Sequence, residues 1–218
     1  MKSRWGLTAE CYLLAMEILL ATNNPHKAEE IRAILAGIDG LNIITPSELD
    51  EPIPDPVEDG MTLEENAWIK AHEICESTGF AVVADDTGLE VAALDGAPGV
   101  FSARYAGPDA TYQDNCDALL SALSAAEAKD RTARFRTVIC FTDGLRVLFA
   151  EGVVDGAITP EPRGESGFGY DPLFQPGGSD RTFAEMDPAE KNGISHRGRA
   201  LRNLRDILAE YTPDAIGS

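Results

Sequence analysis

Two adjacent carboxylates, Asp85 and Asp86, run directly into a hydroxyl, Thr87, and a glycine, Gly88, after the apolar stretch Phe80–Ala84. An aromatic and β-branched run bounded by turn residues predicts a buried strand. The carboxylates are therefore expected at its carboxyl end, where open α/β sheets bind ligands. Side chains alternate along extended backbone, so Asp85 and Asp86 should point opposite ways, with at most one of them in a given cleft. Asp86 is the one expected there. A carboxylate in that place can hold a divalent cation or take a proton from water. The same four residues also suit a polar turn in which Asp and Thr bond their own backbone.

Cations gather at two helix starts, where they are locally unfavourable. Asn24 before Pro25 makes a good cap and first helical position, and Lys27 then falls in the first turn after Thr22-Asn23-Asn24. Near the carboxyl end, Lys191 precedes Ser195, which can cap a final helix whose first turn holds His196, Arg197 and Arg199. A cation in a first turn opposes the helix dipole by a few tenths to about 1 kcal/mol. A polyanion lying across both helix starts would relieve both. The glycines of a P-loop are absent, and a capped helix with a solvated lysine accounts for Lys27 taken alone. Between these helices, Gly164–Pro172 crowds glycines around Phe168 and Tyr170 and ends in Asp171. Gly169 allows close backbone approach to a ligand, and the aromatic rings offer faces to a base. Such bends also terminate ordinary strands.

These side chains need a frame. Glu17–Ala21 reads as a short strand, followed by a helix with Ala28, Ile31, Ile34 and Leu35 on one face, and Leu41–Thr45 as a second strand. Residues 46–60, rich in proline and acid, read as an exposed loop or flap. Thr62 and Glu65 have capping-box spacing at the start of a helix running to Thr78, which gives the Glu65 carboxylate a structural task that competes with any chemical one. A helix is expected over Thr111–Ala126. Arg134–Thr142 and Leu145–Ala150 then form a hairpin across Asp143-Gly144. Strand–helix units at the start, a hairpin in the middle and a helix at the end predict an α/β fold, a mixed sheet with helices on its faces.

A chain of 218 residues suits a single domain at 17–211 with two lobes, an amino-terminal extension at 1–16 and a tail at 212–218. A net charge of -19 argues against nucleic acid as a partner, which requires clustered Lys and Arg. No apolar run approaches the roughly 18 residues that cross a bilayer, so no membrane partner is expected. Cys11, Cys75, Cys116 and Cys140 lack metal-binding spacing and read as reduced thiols, which points to a cytoplasmic setting.

Taken in chain order, the motifs resemble those of the inosine triphosphate pyrophosphatase family, which acts on non-standard purine nucleoside triphosphates. They are Thr22-x-Asn24-x-x-Lys27, Glu65-Asn66-Ala67, Ala84-Asp85-Asp86-Thr87-Gly88-Leu89, Gly96-Ala97-Pro98-Gly99 with Ser102-Ala103-Arg104-Tyr105, Gly167–Pro172, and Lys191 with Ser195-His196-Arg197. The resemblance spans Glu17 to about Leu208. It implies an elongated mixed sheet with two lobes around a central cleft, and hydrolysis of ITP, dITP and XTP to the monophosphate and pyrophosphate with Mg²⁺ in a homodimer. It also implies Asp86 as general base and metal ligand, and Glu65 as second metal ligand. Thr22, Asn23, Asn24, Lys27, Thr87 and Lys191 would hold the triphosphate, while Phe168, Gly169, Tyr170, Asp171, His196 and Arg197 would enclose and read the purine. Thr87 replaces a usual serine, Asn23 a common glycine and Gly193 a usual alanine. A non-catalytic nucleotide sensor, or a triphosphatase releasing orthophosphate, would share many of these groups.

Overall fold

The structure is a computed structural model that describes residues 16–35 and 41–210. The expected extension, apart from Met16, and the tail at 212–218 lie outside the described residues. β1 (Met16–Leu20) buries Ile18, Leu19 and Leu20 completely. α1 (Pro25–Leu35) follows after Asn24, whose Oδ1 accepts the His26 amide at 3.0 Å. β2 (Leu41–Ile44) lies parallel to β1. α2 (Leu63–Thr78) starts at the Thr62–Glu65 capping box and ends at Gly79, whose φ of 77° is the left-handed geometry that glycine adopts without strain. β3 (Ala81–Val91), β4 (Pro98–Gly99), α3 (Tyr112–Ala125), β5 (Thr132–Thr142) and β6 (Val147–Ile158) come next. β7 (Phe174–Pro176), a short α4 (Pro188–Ile194) that the sequence patterning did not suggest, and α5 (His196–Glu210) complete the order.

The sheet runs β2-β1-β3-β5-β6-β7, with β4 beside β3. β1 is parallel to both of its neighbours and the remaining pairings are antiparallel. The mixed sheet expected from the hairpin is therefore present.

One expectation needs correction. Asp85–Gly88 does not emerge from the end of a strand; it lies in the middle of β3. β5 pairs continuously with β3 from Val82↔Thr142 to Val91↔Ala133, and this supplies backbone partners straight through the polar stretch. The opposite edge differs. Pairing with β1 stops at Leu20↔Val83, and pairing with β4 resumes only at Leu89↔Gly99. The sheet is thus open on one side of the two aspartates, which gives side chains from both faces access to one gap.

Alternation along β3 feeds three apolar clusters. Val83 joins Ile18, Leu20, Ile139 and Phe141 beneath α1 and α5, while Val82 and Ala84 join Leu19, Val138 and Cys140 beneath α2. Beyond the polar stretch, Leu89 and Val91 pack with Phe135, Val154 and Ile158 against α3 and the segment carrying Phe174 and Phe183. The first two clusters form one lobe and the third forms the other. Asp85–Gly88 lies between them.

Candidate active site

The period-two rule holds at the carboxylates. Asp85 shares a sheet face with Thr87, whose Oγ1 lies 3.3 Å from its Oδ2, and that face looks towards α1 and α5. Its Oδ2 gathers Lys27 Nζ at 3.1 Å and Arg197 Nε and Nη2, each at 3.2 Å. The cations at the two helix starts therefore meet on one carboxylate. Burial works to raise the Asp85 pKa, but the charges of Lys27, Arg197 and Lys70 outweigh it and hold the group well below the usual carboxylate range. Its second oxygen, Oδ1, is buried without a hydrogen-bond partner among the described residues.

Asp86 faces α2. Its Oδ2 accepts Asn66 Nδ2 at 3.1 Å, its Oδ1 lies 3.7 Å from Lys70 Nζ, and Lys70 also meets Glu58 Oε2 at 3.1 Å. Burial raises the Asp86 pKa, with Lys70 and Lys27 pulling the other way. A carboxyl shifted upwards is a stronger base once ionised. Although they lie on opposite faces, both aspartates line a single cavity of about 350 Å³. The expectation that at most one would face a given cleft fails because the cleft reaches both faces through the open edge of β3.

That cavity is also lined by Thr22, Asn23, Asn24, Lys27, Thr87, Phe168, Gly169, Tyr170, Asp171, Lys191, His196 and Arg197, each of which was expected in the site. Glu65 is not among the lining residues. Its Oε2 accepts the amides of Met61 at 2.7 Å and Thr62 at 3.2 Å, which closes the helix end and leaves it exposed outside the cleft. The reading of Glu65 as a metal ligand is corrected on that ground: the cap satisfies helix amides that would otherwise lack partners. The acid found beside Asp86 is Glu58, in the loop before α2.

Among the described residues no group of three or more His, Cys, Asp or Glu side chains converges as a closed metal cage. An open site of one or two carboxylates can instead hold a divalent cation whose shell is completed by water and substrate phosphates. Asp86 and Glu58, sharing the Lys70 ammonium between them, supply that pair.

On the α5 side, Glu30 bridges two cations, with Oε1 2.8 Å from Lys191 Nζ and Oε2 bound to Arg197 Nη1. Burial would raise the Glu30 pKa, but Arg197 and Lys191 more than reverse it. Lys191 also pairs with Asp171 Oδ2 at 2.7 Å, and that same oxygen accepts the Phe168 amide at 2.8 Å. The glycine-aromatic turn is thereby tied to the cation cluster. Gly167 has φ 77° and packs against the Asp171 carboxylate so closely that a Cβ would collide with it. His196 is buried and stacks on Phe135 with centroids 4.4 Å apart. Burial first, and then the charges of Arg197 and Lys191, lower its pKa well below the ordinary value, so the ring is neutral. Its Nδ1 has no hydrogen-bond partner among the described residues. Tyr170 is buried, and its hydroxyl donates to the Ser102 carbonyl at 2.9 Å, which fastens the turn to the loop after β4.

Sequence reasoning missed Glu30, Glu58 and Lys70. Glu30 lies three residues beyond Lys27, and Lys70 four beyond Asn66, so helical spacing put each on the face of a residue already singled out. Glu58 sits in a segment with no periodicity and gave no local signal.

The sequence profile described as the Ham1 family matches residues 18–207. A protein of Coxiella burnetii named dITP/XTP pyrophosphatase is 45% identical over 198 residues, covering 89% of this chain and 98% of its own. One from Desulfotalea psychrophila, with the same name, is 48% identical over 189 residues, covering 86% and 83%. Among solved structures, a HAM1 protein from Coxiella burnetii superposes with a TM-score of 0.82 at 45% identity, covering 89% of this chain and 99% of that one. The Ham1 protein of Staphylococcus aureus gives a TM-score of 0.78 at 37% identity, with the same coverage of 89% and 99%.

Proposed function

The chain belongs to the Ham1 family, and from that premise we propose that its cleft hydrolyses ITP, dITP and XTP to the nucleoside monophosphate and pyrophosphate, removing non-standard purines from the nucleotide pool. The observation that carries this reading is the meeting of Lys27 and Arg197, from two helix starts, on Asp85, with Asp86 next in the strand and lining the same cavity. A polyanion and a water-directing carboxylate are thereby served side by side.

In this reading Lys27, Lys191 and the Thr22–Asn24 loop bind the outer phosphates. Asp86 orients water towards the α-phosphorus and accepts its proton, and pyrophosphate leaves with the bound tail. Asp86 and Glu58 would hold Mg²⁺, which when bound neutralises charge on the phosphate oxygens. Asp85 and Glu30 act through other groups: they aim Lys27, Lys191 and Arg197. Phe168, which stacks on His26, would offer a ring face to the base in place of the Lys191 and Arg197 cations that lie over it at 4.7 Å and 5.4 Å.

The base is read at its 6-oxo edge. Arg197 divides its donors among Asp85, Glu30 and Thr87, whereas His196 Nδ1 has no partner of its own among the described residues. As the protonated nitrogen of a neutral ring, it would donate to a keto oxygen and be opposed by the amino group of adenine. A mismatch of that kind discriminates by about 10⁴ or more.

The enzyme works as a homodimer in the cytoplasm. Exposed Val147 and Phe149 on β6 support association, and the reduced, buried Cys75, Cys116 and Cys140 suit that compartment. No helix among the described residues is long and apolar enough to cross a membrane.

Turnover of ITP in ¹⁸O-water tests the chemistry. Label on IMP, with unlabelled pyrophosphate, is the expected result. Early IDP with labelled orthophosphate, or labelled pyrophosphate, would overturn it.

A further inference from the structure

Tyr112 opens α3, in the second lobe, directly after its cap Thr111. It is 47% exposed, although it lines the cleft. Its hydroxyl accepts a hydrogen bond from Asn24 Nδ2 at 3.0 Å. Asn24 caps α1 in the first lobe, and its Oδ1 is committed to the amides of His26 at 3.0 Å and Lys27 at 3.4 Å. The cap therefore fixes which way the amide points, with its oxygen on the helix and its nitrogen towards Tyr112. The Tyr112 ring lies 6.0 Å from that of Phe168 at 42°, and Phe168 stacks on His26 at 5.6 Å and 16°. Rings from α1, α3 and the glycine-aromatic turn thus meet at the mouth of the cleft.

Folding gives little reason for this arrangement. An exposed neutral hydrogen bond contributes little to stability, and half of a large amphipathic ring is left in water. Among the described residues Tyr112 itself contacts aromatic and amide groups and none of the cations, whereas Lys27, Lys191 and Arg197 gather around Asp85, Glu30 and Asp171, with Lys191 and Arg197 also lying over the Phe168 ring at 4.7 Å and 5.4 Å. Tyr112 is placed to meet the nucleoside end of a ligand, away from its phosphates. We propose that Tyr112 is a substrate-positioning residue whose ring covers the outer side of the nucleoside held by Phe168, while its hydroxyl latches the second lobe to the first through Asn24. This inference rests on the reading that the cleft binds purine nucleotides. It adds a wall and a cross-cleft tie that determine how tightly the nucleoside is held.

Calorimetric titration of IMP and, separately, of inorganic pyrophosphate, each with Mg²⁺, into wild type, Tyr112→Phe and Tyr112→Ala tests the assignment. Losing the stacking face should weaken IMP by about fivefold to a hundredfold in the alanine variant. The phenylalanine variant, which keeps the ring, should lose about twofold to tenfold. Pyrophosphate, which has no base or sugar, should bind all three proteins within about twofold of one another. IMP affinity unchanged in Tyr112→Ala, or IMP and pyrophosphate weakened together, would overturn the proposal. The phenylalanine variant keeps the test decisive if the alanine variant fails to fold. Product analysis of ITP turnover by the wild type separates the two readings: absent IMP and pyrophosphate there, the function of the cleft is misassigned, whereas a normal wild type with an unshifted Tyr112→Ala removes only the role of Tyr112.

Discussion

Asp85 and Asp86 are sequence neighbours served from opposite sides of one sheet. Oδ2 of Asp85 takes Lys27 and Arg197 from α1 and α5, while Asp86 takes Asn66 and Lys70 from α2. In the proposed reading the pair divides the work of the cleft between holding cations in place and directing water.

That division predicts different failures for two isosteric changes. Asp85→Asn leaves buried Arg197 and half-buried Lys27 short of a counter-charge, and breaking a buried ion pair costs about 3–5 kcal/mol. Asp86→Asn removes a carboxylate whose ionised form burial already disfavours, so the fold should tolerate it, while turnover drops by about 10²–10⁴. Urea unfolding and steady-state kinetics on both variants check this. A well-folded Asp86→Asn enzyme with near-normal kcat would remove Asp86 from the role of base.

His196 predicts a pH dependence of stability with a definite sign. Burial, reinforced by Arg197, Lys191 and Lys27 and only partly offset by Asp85, sets its folded pKa well below its ordinary value near 6.5. The unfolded chain therefore takes up a proton that the folded one refuses. Its contribution to stability is present above about pH 6.5 and is lost as the pH falls below it, at up to about 1.4 kcal/mol per pH unit. His196→Phe keeps an aromatic ring against Phe135 but cannot titrate. The unfolding free energy of this variant should fall less steeply between pH 6.5 and 5.5 than that of wild type, and identical slopes would show that His196 is protonated within the fold.

Two glycines should respond to alanine with opposite signs. A Cβ on Gly152 in β6 would collide with the His196 carbonyl and the Ala200 amide, so this glycine lets the start of α5 sit against the sheet and carry His196 and Arg197 into the cleft. Overpacking there should destabilise by about 1–3 kcal/mol or more and raise KM. Gly193 in α4 has nothing within 4 Å of its would-be Cβ, and alanine is favoured over glycine in a helix by roughly 0.5–1 kcal/mol. Thermal unfolding of both variants tests the contrast. Equal midpoints would mean that α5 can lift off β6 without cost.

Much of this was legible in the sequence because the elements signal locally. Asn24-Pro25 and the Thr62–Glu65 box act within a few residues and form where their spacing indicated, while Asp143-Gly144 turns the hairpin in a four-residue connection, so that β6 starts at Val147 and not at Leu145. Asp85–Gly88 was misplaced because the sequence around a polar tetrapeptide does not report a distant partner. β5, some fifty residues on, supplies the pairing that keeps β3 extended. The cations at helix starts were recognised as unfavourable, but their resident counter-ions Asp85 and Glu30 were not paired with them, since those contacts join separate elements. Glu58 was unreadable for a related reason. A loop acid acquires meaning only once Lys70 from α2 comes to lie between it and Asp86.

In the proposed reading Glu58 and Glu65 have opposite tasks, one chemical and one structural. Glu65 accepts two backbone amides at the start of α2 and is exposed outside the cleft. Glu65→Ala should therefore cost about 0.5–2 kcal/mol of stability, as loss of a cap does, with no change in the Mg²⁺ concentration needed for half-maximal turnover. Glu58→Ala should do the reverse. Its carboxylate neutralises Lys70 from a loop outside regular structure, so removing it should barely move the thermal midpoint. With one of two carboxylates gone, Lys70 keeps the Asp86 carboxylate and the Asp85 carbonyl, and the half-maximal Mg²⁺ concentration should rise at least about tenfold. Magnesium titrations of activity beside thermal unfolding distinguish the two residues. A raised Mg²⁺ requirement in Glu65→Ala, with Glu58→Ala unaffected, would mean that the capping box opens in the working enzyme and that Glu65 turns into the cleft.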